Sequence, residues 1–104
     1  MSYAVAVYLV DRAYGGPEEG GWYYDTHELS RDPTLVSLTR VYNRLHDAAD
    51  YANRLNEGVL AELNEGRPEI WSVNSYGQFE AMWFDMDEHP VLPPYMPERR
   101  PHYE

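Results

Sequence analysis

The pattern of apolar positions changes period along this chain, and the changes mark its elements. From Tyr3 to Arg12 (YAVAVYLVDR) apolar residues occupy both parities, as in a central strand covered on both faces. Ala13 to Gly20 (AYGGPEEG) reads as a hairpin loop, leading into a second strand over Gly21 to Thr26 built on Trp22, Tyr23 and Tyr24. Ser30 to Pro33 forms a further connection. Thr34 to Tyr42 then alternates, with Leu35, Ser37, Thr39 and Val41 against Val36, Leu38 and Tyr42, which predicts a third strand, the alternative being that Leu35 to Leu45 leads into the helix.

The period becomes helical next. Asp47 is placed to act as N-cap, and Ala48, Tyr51, Ala52, Leu55, Val59 and Leu63 recur on one face. Asp50, Asn53, Glu57, Ala61 and Asn64 fall on the other. Gly66 and Pro68 end a single long helix that tolerates Gly58 in its interior. Glu69 to Asn74 and Gln78 to Asp85 then flank Ser75-Tyr76-Gly77 as a hairpin, with Phe79, Ala81 and Trp83 sharing a face. Five prolines between Pro90 and Pro101 predict an extended ending that lies across the domain through Val91, Leu92, Tyr95 and Met96.

The expected architecture is α+β: an antiparallel sheet of about five strands (β-β-β-α-β-β), with one long amphipathic helix on one face. Residues 1–88 form the single domain and 89–104 the Pro-rich extended tail. One helix covers one sheet face, so the other must meet water, the tail or a partner.

Composition narrows the chemistry. The 104 residues carry a net charge of −10, 18 Asp plus Glu against 8 Arg, with no Lys and no Cys. There is no disulfide framework, thiolate site, Schiff-base lysine or P-loop lysine. Phosphates repel a surface of this sign, so direct nucleic-acid binding is not expected. The apolar start lacks a basic n-region and a cleavage site and is too short for a bilayer, which makes the cytoplasm the default and a membrane partner unexpected.

Candidate catalytic sets are weak. Asp85, Asp87, Glu88 and His89 crowd four potential metal ligands into one stretch, but no glycine-containing calcium loop or second ligand pair accompanies them. A solvated acidic turn is the simpler reading, and no metal or other cofactor is expected. No Gly-x-Ser-x-Gly elbow is present. The glycines at 15, 16, 20 and 21 lack a following lysine, and Glu18-Glu19 would repel phosphate. The chain is read as a non-enzyme.

The acidity itself suggests a function. Large basic grooves belong mainly to nucleic-acid-binding proteins, and an acidic domain can occupy one with carboxylates where phosphates would lie. The expected contacts are Glu18 and Glu19 on the first loop, Asp50 and Glu57 about 10 Å apart on the helix, and Asp85, Asp87 and Glu88 after the last long strand. Tyr14, Tyr23 and Tyr76 are the candidate aromatic anchors. The competing expectation is a structural module that forms a homodimer through its open sheet face, its acidity serving only solubility.

The stretch Ala6 to Asp25 (AVYLVDRAYGGPEEGGWYYD) and the ending Pro101-His102-Tyr103-Glu104 resemble small accessory proteins of phages and mobile elements. As a profile of size, charge and layout, the whole chain is similar to anti-CRISPR proteins. That resemblance implies a viral, non-enzymatic inhibitor acting in the cytoplasm of a bacterial host. It would occlude the basic nucleic-acid-binding surface of a defence complex by nucleic-acid mimicry.

Overall fold

A computed structural model describes residues 1–14, 23–67 and 77–102. Its elements in chain order are β1 (Tyr3–Tyr14), β2 (Tyr23–Leu29), α1 (Pro33–Val36), β3 (Arg40–Tyr42), α2 (Leu45–Glu57), α3 (Val59–Asn64), β4 (Gln78–Asp85) and β5 (Tyr95–His102). The fold is α+β, with a five-stranded antiparallel sheet under a bent helical layer. None of the described helices is long and apolar enough to cross a membrane.

β1 organises the sheet. β4 pairs with Tyr3–Val10, β3 with Tyr3–Val5 and β2 with Tyr8–Tyr14. A strand has two edges, and β4 overlaps both other partners, so β2 and β3 lie end to end on the edge opposite β4. β5 then pairs with β2 and completes the order β4-β1-β2-β5. Prolines 97 and 101 suit that outer position, where a missing N–H costs least.

Both parities of β1 are buried, as a central strand requires. Val5 and Val7 face the helices and pack with Leu35, Ala48, Ala52, Leu55, Leu60 and Ala81. Ala6 and Tyr8 face the other way and pack with Phe84, Met82, Leu92 and Met96. That second face is crossed by the chain between β4 and β5, and the Tyr8 hydroxyl donates to the Pro93 carbonyl at 2.6 Å. The Pro-rich ending therefore contributes a cover and an edge strand. Val91 and Tyr95, expected to pack inward, are exposed, while Leu92 and Met96 make the contacts.

The structure corrects four local expectations. The third strand is only Arg40–Tyr42, because Asp32-Pro33 starts a helical turn: the Asp32 carboxylate accepts the Thr34 N–H at 2.9 Å and Pro33 occupies the first helical position. The second strand runs to Leu29, three residues past Thr26, since β1 continues to offer it partners back to Tyr8. Asp47 is not the N-cap. The helix begins at Leu45 after Arg44 in extended conformation, leaving Asp47 in the first turn, where the macrodipole favours its charge.

The fourth correction concerns the helix faces. The long helix is present but bent at Gly58, which separates α2 from α3. The bend rotates the inward face by one residue. Leu60 is fully buried, whereas Val59 and Leu63, expected inside, are 41% and 45% exposed. The first arm of the second hairpin, residues 69–74, and Ser75 and Tyr76 of its turn lie outside the described residues. The second arm forms as expected, with Phe79, Ala81 and Trp83 in register with Leu9, Val7 and Val5.

Candidate functional site

Among the described strands β4 is an outer one, and asparagines from the helices meet its edge. The Asn56 amide donates to the Ala81 carbonyl at 3.1 Å, and its carbonyl accepts the Ala81 N–H at 2.7 Å. Asn64 repeats the arrangement on Phe79 at 2.9 and 2.7 Å. Each side chain thus imitates one residue of a neighbouring strand. Asn64 was expected on the outer helix face; the bend at Gly58 turns it onto the strand. An asparagine pair eight residues apart is the only trace of this in the sequence, and it has no meaning until the strand is placed beside it.

These contacts fix direction. Asn64 sits at Phe79 and Asn56 at Ala81, so the helices run antiparallel to β4. The N-terminal turns of α2, with Asp47 and Asp50, therefore lie toward the Asp85 end of the strand. One end of the molecule gathers part of the expected acidic set.

The members of that set differ in environment. Asp50 is exposed but paired with Arg54 at 2.7 Å, one helical turn on. Glu57 is exposed at the C-terminus of α2, as are Glu62 and Glu65 on and after α3. Asp85 is half-buried and builds the turn that follows β4: its carboxylate accepts the Asp87 N–H at 2.9 Å, and its backbone carbonyl accepts from Glu88 and His89 at 3.1 and 2.8 Å. Asp87 and Glu88 project from that turn into solvent. His89 leaves it in another direction, its ring meeting Phe84 at 5.6 Å. Among the described residues no three His, Asp or Glu gather where a metal ion could be held.

Glu18, Glu19 and Tyr76 lie outside the described residues. Tyr14 and Tyr23 are backbone partners in the β1–β2 register, at the far end of β1 from Tyr3.

Two polar groups under the sheet were not anticipated. Tyr8 is fully buried, and burial pushes its phenol up to about 12 from the ordinary 10.0, which keeps it a neutral donor to Pro93. His27 is buried on the same face, with Nε2 3.7 Å from the Glu80 carboxylate of β4. The side chains of His27 and Glu80 thus bridge strands on either side of β1. Among the described residues, a cavity of about 220 Å³ opens between β2, α1 and Leu92 with a mainly aliphatic lining, and one of about 270 Å³ lies between α2 and β4. No protein family, curated protein or solved structure matches the chain.

Proposed function

We propose that the chain is a non-enzymatic binding protein that docks on a basic, nucleic-acid-binding surface of a partner and occludes it. The observation that carries this reading is the outer side of the helical layer. Asp47, Glu57, Glu62 and Glu65 are all exposed there, and Asp50 is paired with Arg54. A net charge of −10 sets the sign of the field that a partner meets. Long-range attraction would speed encounter, and a small number of desolvated contacts would hold the complex. A bacterial defence complex that handles nucleic acid is the partner class we favour, and the mechanism is nucleic-acid mimicry.

The test is capture from a bacterial lysate containing such complexes, at low and raised salt, with bound proteins identified by mass. Salt-sensitive retention of a basic protein, displaced by duplex DNA, supports the reading. Charge reversal at Asp47, Glu57, Glu62 and Glu65 should then abolish capture. Retention that is insensitive to both salt and these reversals defeats it, because surface charge is screened within about 10 Å at 0.1 M salt.

One observation favours a second reading, a self-associating module. Val36, Val41 and Leu45 are 50%, 60% and 41% exposed around the short strand β3. A dimer mass that persists at both salts, with no basic partner retained, would assign the acidity to solubility.

A further inference from the structure

Trp83 is anomalous for its position. Its register places it under the helices with Phe79 and Ala81, yet it is 43% exposed. The α2 residues that line the space next to it are Ala52, Asn53 and Asn56, all with short side chains. Beside it lies a slot of about 270 Å³ lined by Ala52, Asn53 and Asn56 of α2 and by residues 80–83 of β4. Tyr3 meets the Trp83 ring in a T-shaped contact at 6.2 Å and holds it in place.

The strand edge shows what the slot can accept. The amides of Asn56 and Asn64 occupy the outward N–H and C=O of Ala81 and Phe79. Outward groups recur at every second residue of an antiparallel strand. Trp83 therefore also directs its N–H and C=O outward, and among the described residues no helix amide fills that third place. A whole added strand is blocked by the two asparagines. A single long side chain is not: the volume matches about nine waters at roughly 30 Å³ each.

The groups that frame the slot favour a cation. They are the Trp83 indole, an outward carbonyl, and Asp85 two residues along the same face of β4; the Glu80 carboxylate lies on the opposite face, beside His27. No arginine lines the slot. Guanidinium fits better than ammonium, because it is planar, stacks on an indole and carries five N–H donors.

We propose that this slot seats an arginine side chain of the partner, with its guanidinium over Trp83 and donating to the outward carbonyl of that residue. The proposal rests on the reading of the chain as a binder of basic surfaces and names its anchor.

The experiment titrates the intact, ¹⁵N-labelled chain with acetylated hexa-arginine, and with hexa-lysine and hexa-citrulline as controls. The indole N–H of Trp83 is assigned by its loss in Trp83→Phe. Hexa-arginine is expected to shift that resonance, hexa-lysine to bind more weakly, and hexa-citrulline not to bind. Trp83→Ala should weaken hexa-arginine about fivefold or more, and more than Glu62→Gln with Glu65→Gln does. Asn53→Arg keeps the indole but fills the slot from within, and should weaken binding comparably. Salt-sensitive binding that leaves the Trp83 resonance and the Trp83→Ala affinity unchanged overturns the slot while leaving the acidic-surface reading standing. Equal binding of hexa-lysine overturns the choice of arginine. A Trp83 shift that depends on protein concentration without peptide assigns the slot to a second copy and overturns the proposal. Failure to retain any basic protein in the lysate capture defeats the underlying reading itself.

Discussion

Replacing Asn56 tests the central structural claim, that helix amides act as strand partners for Ala81 and Phe79 on the edge of β4. Asn56→Ala removes two hydrogen bonds, at 3.1 and 2.7 Å, and leaves both backbone groups of Ala81 without them. Each bond is worth about 0.5–1.5 kcal/mol net, so the gross loss is about 2 kcal/mol. Alanine regains roughly 0.5 kcal/mol through its better helix propensity, which leaves a loss of about 1.5 kcal/mol. For a chain of this size that lowers the melting temperature by roughly 6–12 °C. Asn56→Asp sharpens the test: it keeps the acceptor for the Ala81 N–H but sets a carboxylate oxygen against the Ala81 carbonyl. At pH 7 it should cost more than alanine does, and the difference from the parent should shrink as pH falls toward about 4, where an ordinary carboxyl protonates. Urea unfolding followed by circular dichroism gives both quantities. The reasoning is refuted if Asn56→Ala lies within about 0.5 kcal/mol of the parent and Asn56→Asp is no worse.

Further outcomes follow from the same geometry. Removing both Asn56 and Asn64 by alanine substitution should expose the β4 edge and produce concentration-dependent association, read by sedimentation. Burial raises the Tyr8 pKa to about 12, so the folded state favours the neutral phenol: its stabilisation is complete below pH 10 and is lost as pH rises toward 12, about 2–3 kcal/mol in all. Tyr8→Phe should abolish that part of the alkaline loss in unfolding curves between pH 9 and 12. Gly77 has φ +87 and a Cβ there would stand 3.0 Å from the Val10 carbonyl, whereas Gly66 at φ +82 has open space around it. Gly77→Ala should therefore cost about 1–3 kcal/mol and distinctly more than Gly66→Ala, measured by chemical unfolding. Arg54→Gln should change stability by less than about 0.5 kcal/mol, since its pair with Asp50 is exposed. It should nevertheless strengthen salt-sensitive capture by freeing the Asp50 carboxylate.

Strands and helix were legible wherever one local period held. β1 stood out because apolar residues on both parities have few uses except a doubly covered strand, and Phe79, Ala81 and Trp83 share a face as their alternation required. The α+β class followed from those patterns alone. The Thr34–Tyr42 alternation misled, because a period of two over a few residues competes poorly with the cap at Asp32 and the proline at 33. The inward set beyond Gly58 was displaced because periodicity assumes a straight helix, and the bend moves burial from Val59 and Leu63 to Leu60.

The acidity of the surface and the absence of thiol and lysine chemistry belong to the sequence itself, since composition is independent of conformation. So does the period of each element, which local sterics and solvent exposure impose residue by residue. The arrangement at β4 belongs to the tertiary structure. Asn56, Asn64 and Trp83 acquire their roles only when a helix is laid antiparallel along a strand edge far from it in sequence, because a hydrogen bond or a slot depends on distances between elements that no local pattern encodes.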